Sequence, residues 1–204
     1  MFQAIEFIAV VTAATYGILE ARAARMDPLG VITLAFAVAF GGGTLRDVFL
    51  DRQPLFWIAN AHYPVMVFFM AIATCLVPKL PVTYKKYLAI PDALGLGLFS
   101  VVGVQYALEA NTTWFVATLF GVITGTFGGV ISDILCDRVP SLFRSAPLYA
   151  TCSFAGGWVF LGVGALGFPE SVTAAVGITS IVIMRFAAIY WNITLPELHD
   201  GSGE

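Results

Sequence analysis

Apolar positions along the 204-residue chain fall in runs near 20 residues long, separated by short polar connectors. The runs cover about 2–20, 29–50, 64–80, 88–107, 114–135, 147–166 and 171–191. Each is near the ~20 residues that a helix needs to cross a hydrocarbon core of ~30 Å. Pro78 and Pro81 break the third run late, and the fourth starts around Pro91-Asp92. The pattern predicts an all-α polytopic membrane protein with seven transmembrane helices, one membrane domain over 1–204 and a polar, acidic tail at 193–204.

A second regularity appears when the chain is shifted by 86 residues. Gly42, Gly43, Asp47, Asp51, Arg52 and Pro54 then fall on Gly128, Gly129, Asp133, Asp137, Arg138 and Pro140. Outside that core, Glu6 meets Asp92, Gly17 meets Gly103 and Tyr63 meets Tyr149. The copies are about 2–80 and 88–166, with helix seven, about 171–191, outside them. Each holds three helices, an odd number, so the second copy is expected upside down relative to the first. Such inverted-topology repeats place a site at their interface near the membrane midplane.

Charge sharpens this picture. Of the residues, 59% are hydrophobic and 11% charged, against roughly 25% charged in an average soluble domain. The formal net charge of −3 gives no basic footprint for nucleic acid. Basic residues in the connectors are Arg22, Arg25, Lys79, Lys85, Lys86, Arg138 and Arg144 on one side against Arg52 on the other. By the positive-inside rule this predicts an outside N-terminus and a cytoplasmic C-terminus. The first run lacks a basic flank and contains Glu6, so it reads as a retained helix rather than a cleaved signal. Trp57, Trp114 and Trp191 near run ends read as interfacial anchors.

The chemistry that composition leaves unexplained is concentrated in Gly41-Gly42-Gly43-Thr44-Leu45-Arg46-Asp47. Glycines weaken a helix and favour a kink or unwound turn. Ionisable groups at membrane depth mark a path or site by default. Small residues four apart, at Ala35, Ala39 and Gly43 and at Gly121, Gly125 and Gly129, put a close-packing stripe on helices two and five. Asp47 either neutralises Arg46 locally or lines a path. In the second copy Ser132 replaces the arginine, so Asp133 needs a partner elsewhere, and Arg46 is one candidate. Glu6 and Asp92 read as carboxylates at opposite mouths, concentrating cations, or as solvated helix ends. Arg185 reads as snorkelling to the cytoplasmic interface or pairing locally.

No catalytic set emerges, and no cofactor is expected. His62 and His199 are isolated, and Cys75, Cys136 and Cys152 lack metal-ligand or disulfide spacing. No resident metal is expected, beyond transient monovalent cations.

At GGGTLRDVFLDRQPLFWI and its echo GTFGGVISDILCDRVPSLF the chain resembles prokaryotic members of the trimeric intracellular cation (TRIC) channel family. That family is related to bacterial membrane proteins labelled as a glycine-transporter domain. The resemblance covers nearly the whole chain. It implies a homotrimer in the prokaryotic inner membrane, in contact with lipids, and one K⁺- and Na⁺-permeable pore per protomer framed by kinked helices two and five. The kinks would fall at Gly41, Gly42 and Gly43 and at Gly128 and Gly129. Polar pore residues would be Arg46, Asp47, Ser132 and Asp133, with Glu6 and Asp92 at the mouths. Animal members carry a basic lipid-binding motif on helix four; residues 96–106 have no Lys or Arg, so that gating is not implied. The other function class is a secondary transporter of a small solute such as an amino acid, in which the broken helices bind substrate.

Overall fold

The computed structural model describes residues 1–77 and 87–196. Pro78, Lys79, Pro81, Lys85, Lys86 and the tail beyond Pro196 lie outside the described residues. The described part is helical: α1 (Phe2–Ala23), α2 (Pro28–Phe49), a one-turn α3 (Phe56–Ala59), α4 (His62–Cys75), α5 (Ala89–Glu109), α6 (Trp114–Leu135), α7 (Ala150–Ala165) and α8 (Glu170–Tyr190). Each predicted apolar run carries a helix. Five of them, α1, α2, α5, α6 and α8, are long and apolar enough to cross a membrane. α4 and α7 have 14 and 16 residues, so their helical lengths of roughly 21 and 24 Å fall short of a ~30 Å core.

The 86-residue register is written into the backbone. α2 and α6 start and stop at matched positions, 28–49 and 114–135. Asp27 caps α2 by accepting from Gly30 N, and its counterpart Thr113 caps α6 by accepting from Val116 N. Each cap satisfies one of the amides a helix start leaves open. Left-handed residues close the same turns in both copies: Arg25 and Asn111 after the first helix, Asp51 and Asp137 after the second. The amides that follow reach back alike, Arg52 N to Asp47 O and Arg138 N to Asp133 O, each at 2.8 Å.

The copies pack on one another reciprocally. A Cβ at Gly42 would fall on the Thr124 carbonyl, and a Cβ at Gly128 would sit 2.6 Å from the Val38 carbonyl. Adding 86 to 42 and 38 gives 128 and 124, so these are one contact seen from both sides, as in any isologous interface. The pairs also show that α2 and α6 run antiparallel. Without a hydrophobic drive between helices in lipid, such close backbone approach is a main source of attraction. α8 packs on α5 and α7, with Gly97 against Ile178 and Val182, and Gly156 against Ile181.

The glycine stretches do not unwind. α2 is continuous through Gly41–Gly43 and α6 through Gly128 and Gly129, so of the kink or unwound turn expected at both places the unwound turn is not formed. Neighbouring groups crowd the α2 glycines, Ile131 over Gly41, Thr124 over Gly42 and Phe56 over Gly43, and at Gly42 and Gly128 the obstacle is the backbone of the facing helix. Continuous helix keeps their carbonyls inside the α2 and α6 ladders.

Candidate functional site

Two clusters of buried polar groups lie at opposite ends of the α2–α6 crossing. The first forms where the start of α1, the end of α2 and the end of α5 meet. Arg46 is fully buried, and its Nη2 lies 3.2 Å from Glu6 Oε1. Its Nε donates to Asp47 Oδ1 at 2.8 Å, and Asp47 Oδ2 accepts the Phe56 amide at 2.8 Å. Arg46 thus bridges two carboxylates, and the second of these fixes the entry to α3. The guanidinium also stands 4.5 Å from the centre of the Tyr106 ring and 5.2 Å from that of Phe56. Arg52 covers the same Tyr106 at 3.7 Å. An aromatic face attracts a cation more strongly once water is excluded. No part of Arg46 reaches solvent.

The second cluster forms where the end of α1, the start of α5 and the end of α6 meet. Asp92 accepts from Arg185 of α8 at 3.0 and 3.2 Å. Arg185 also donates to the carbonyls of Pro147 and Leu148, at 2.9 and 3.0 Å, and lies 4.5 Å over the Tyr149 ring. Asp133 accepts from the Ser141 amide and hydroxyl at 2.9 and 2.8 Å, with Arg138 Nε 3.7 Å away. Arg138 in turn pairs with Glu20. Tyr16, Asp92, Asp133, Ser141, Tyr149 and Arg185 line a polar cavity of about 50 Å³. A narrower space of about 20 Å³ shares Tyr16, Asp92, Gly129 and Tyr149 with it and extends to Val38, Thr124 and Gly128 at the helix crossing. Together these spaces have room for a few water molecules. They lead from the second cluster toward the crossing.

The structure therefore joins Glu6, Arg46 and Asp47 in one cluster and brings Asp92 and Asp133 to the wall of one cavity. Three sequence expectations change. Glu6 is not a solvated mouth carboxylate: it is 2% exposed and bound to Arg46. Asp133 does not reach Arg46; Ser141 and Arg138, on the connector that follows, take that role. Arg185 neither snorkels nor pairs locally but binds Asp92, 93 residues away in sequence. Ser132, the counterpart of Arg46, is buried with its hydroxyl unpartnered among the described residues. Tyr16, Tyr106 and Arg185 carry much of the geometry and were not singled out for the site from sequence. A question that the repeat poses finds Arg185: which cation balances the second copy once position 132 is serine?

The family model described as a glycine transporter matches this chain twice, over residues 3–79 and 89–165. A membrane protein of Vibrio cholerae is 37% identical over 188 residues, 90% of this chain and 77% of that protein. The inner membrane protein YadS of Escherichia coli is 34% identical over 194 residues, 94% of this chain and 93% of its own. Among solved structures, the TRIC trimeric intracellular cation channel orthologue of Rhodobacter sphaeroides superposes with a TM-score of 0.87 at 29% identity, covering 94% of this chain and 98% of that one. Another TRIC cation channel matches over the full length of both chains, with a TM-score of 0.86 and 31% identity. The double match falls on the two copies that the 86-residue register defines, and the buried charges sit where those copies meet. With that agreement in sequence, register and fold, the chain is a membrane protein of the TRIC family, in the group that carries the glycine-transporter description.

Proposed function

We propose that the chain is a cation channel of the inner membrane, K⁺ and Na⁺ permeable, with one path per protomer of a homotrimer. The observation that carries this reading is the polar cavity beside Asp92 and Asp133, which runs to the α2–α6 crossing and stops before Arg46. Carboxylates along a narrow path favour cations over anions, and a buried guanidinium in line with it forms a removable barrier. The likeness to TRIC cation channels over the whole chain supports the same function and the trimer. The path follows the join of two inverted repeats, a reading supported by the reciprocal, antiparallel packing of α2 and α6. On this reading the Glu6–Arg46 cluster faces outside and the Asp92 cavity faces the cytoplasm, as the basic connectors suggest. Because α2 and α6 stay helical, side chains rather than freed carbonyls solvate the ion on this reading.

Single-channel recording of purified protein in planar bilayers tests this. Unitary currents with a cation-selective reversal potential are expected, and Asp133→Asn is expected to lower that selectivity or the conductance. Saturable uptake of a solute with no unitary steps would sink the channel.

That outcome belongs to the second reading, a secondary transporter of a small amino acid. The description of the matching family as a glycine transporter favours it. In that case the Asp92–Arg185 pair presents both charges that a zwitterion needs, and the repeats rock about the crossing.

A further inference from the structure

In the first copy Glu6 is matched by Arg46, which the repeat itself supplies. The second copy keeps the carboxylate, as Asp92, but has Ser132 at the arginine's place. Its cation arrives from α8, which lies outside the repeat. Arg185 takes over both functions of Arg46: it holds the helix-start carboxylate and covers a ring, Tyr149, where Arg46 covers Tyr106 and Phe56. The two cations differ in what holds them and in their access to water. Arg46 has two carboxylates and no exposure. Arg185 has one carboxylate and two backbone carbonyls, and 13% of its side chain stays accessible.

We propose that Arg185 is the displaceable counter-cation of the cavity: a permeating monovalent cation or a primary ammonium group takes its place on Asp92, and Arg185 thereby sets the selectivity and opening of the second mouth. This rests on the reading of the cavity as part of a conduction path. Displacement there needs only one carboxylate to change partners, since the freed guanidinium keeps the Pro147 and Leu148 carbonyls and the Tyr149 ring. At Arg46 two carboxylates would lose their partner in a site closed to water, so the α8-side mouth is the more easily opened one. Asp133 stands on the same cavity wall, already held by Ser141, and adds negative potential without competing for Arg185.

Arg185→Gln, Arg185→Lys and the neutral pair Asp92→Asn with Arg185→Gln separate this proposal from a purely structural role. In bilayers, Arg185→Gln raises open probability or conductance several-fold and Arg185→Lys stays near wild type. In detergent, thermal melting is compared in KCl and in N-methyl-D-glucamine chloride. Arg185→Gln leaves Asp92 without its partner and gains a few degrees from K⁺ that the large organic cation cannot supply, while wild type and the neutral pair show no such difference. A folded Arg185→Gln protein with wild-type open probability and no K⁺-specific shift in melting would overturn the proposal. If the wild-type chain gives no unitary currents, the channel reading falls by itself and the melting comparison alone decides the role of Arg185.

Discussion

The two charged ends of this molecule occupy matched positions and solve one problem differently. Glu6 and Asp92 are counterparts, as are Asp47 and Asp133, and each carboxylate is satisfied before it is buried. At the first end one arginine serves both carboxylates in a dry site stacked with Tyr106 and Phe56. At the second, Asp92 and Asp133 have separate partners, drawn from α8 and from the connector after α6, and a cavity lies between them. A buried pair costs most when one partner is removed, because the remaining charge has no water to turn to. The contrast teaches that sharing a cation compacts a site, whereas dividing the task leaves room for water.

The largest test of that contrast is loss of each cation in turn. Arg46→Met leaves Glu6 and Asp47 unmatched and is expected to cost about 3–5 kcal/mol of stability. Arg185→Met exposes only Asp92, beside a cavity, and is expected to cost about 1–3 kcal/mol. Equal drops in thermal melting for the two variants would mean that the ends are not held differently. Adding Glu6→Gln to Arg46→Met should recover part of the loss, since one of the orphaned charges is then gone.

The helix crossing gives the next test. At Gly128 a methyl group would meet the Val38 carbonyl of the facing helix, whereas at Gly129 its nearest neighbour is the Tyr149 hydroxyl, 3.2 Å away at the end of a side chain. Gly128→Ala is therefore expected to cost about 1–3 kcal/mol, and Gly129→Ala less than about 1 kcal/mol because the tyrosine can yield. Melting curves of the two variants measure the difference, and a larger cost at Gly129 would show that the crossing is not set by backbone contact.

The smallest effect concerns the pair that spans the copies. Glu20→Gln removes the partner of Arg138, whose side chain is 43% exposed, so about 0.2–1 kcal/mol is expected. Its counterpart contact, Arg52 on Tyr106, links the same two copies by a ring instead of a carboxylate. Melting of Glu20→Gln in low and high salt tests this, because only an ion pair weakens as salt rises.

Much of the fold could be read from hydropathy because lipid imposes length and apolarity on a spanning helix. The bounds of α2 and α6 match the predicted runs closely, and the 86-residue register predicted Asp47, Asp133, Glu6 and Asp92 as counterparts. The partners of these carboxylates were not legible. Arg46 meets Glu6 across 40 residues and Arg185 meets Asp92 across 93, distances over which no local periodicity carries information. Glycine was misread for a related reason. Its effect on an isolated helix is to loosen it, but here Phe56, Thr124 and Ile131 pack onto the α2 glycines and the helix stays whole. Tyr106, in an apolar run, has the sequence signature of any packing residue, and only the guanidinium groups of Arg46 and Arg52 over its ring set it apart.

The reciprocity of the α2–α6 contact has a consequence for the symmetry of the two halves. A surface that fits its own repeat also fits a second copy of itself, so two first halves would pair with Arg46 present for Glu6 and Asp47 at each end. Two second halves would not: each would bring Asp92 and Asp133 with serine at position 132 and no cation of its own at that place. Arg185 of α8 fills that place for Asp92, so the second half leans on a helix outside the register and the two halves are not interchangeable.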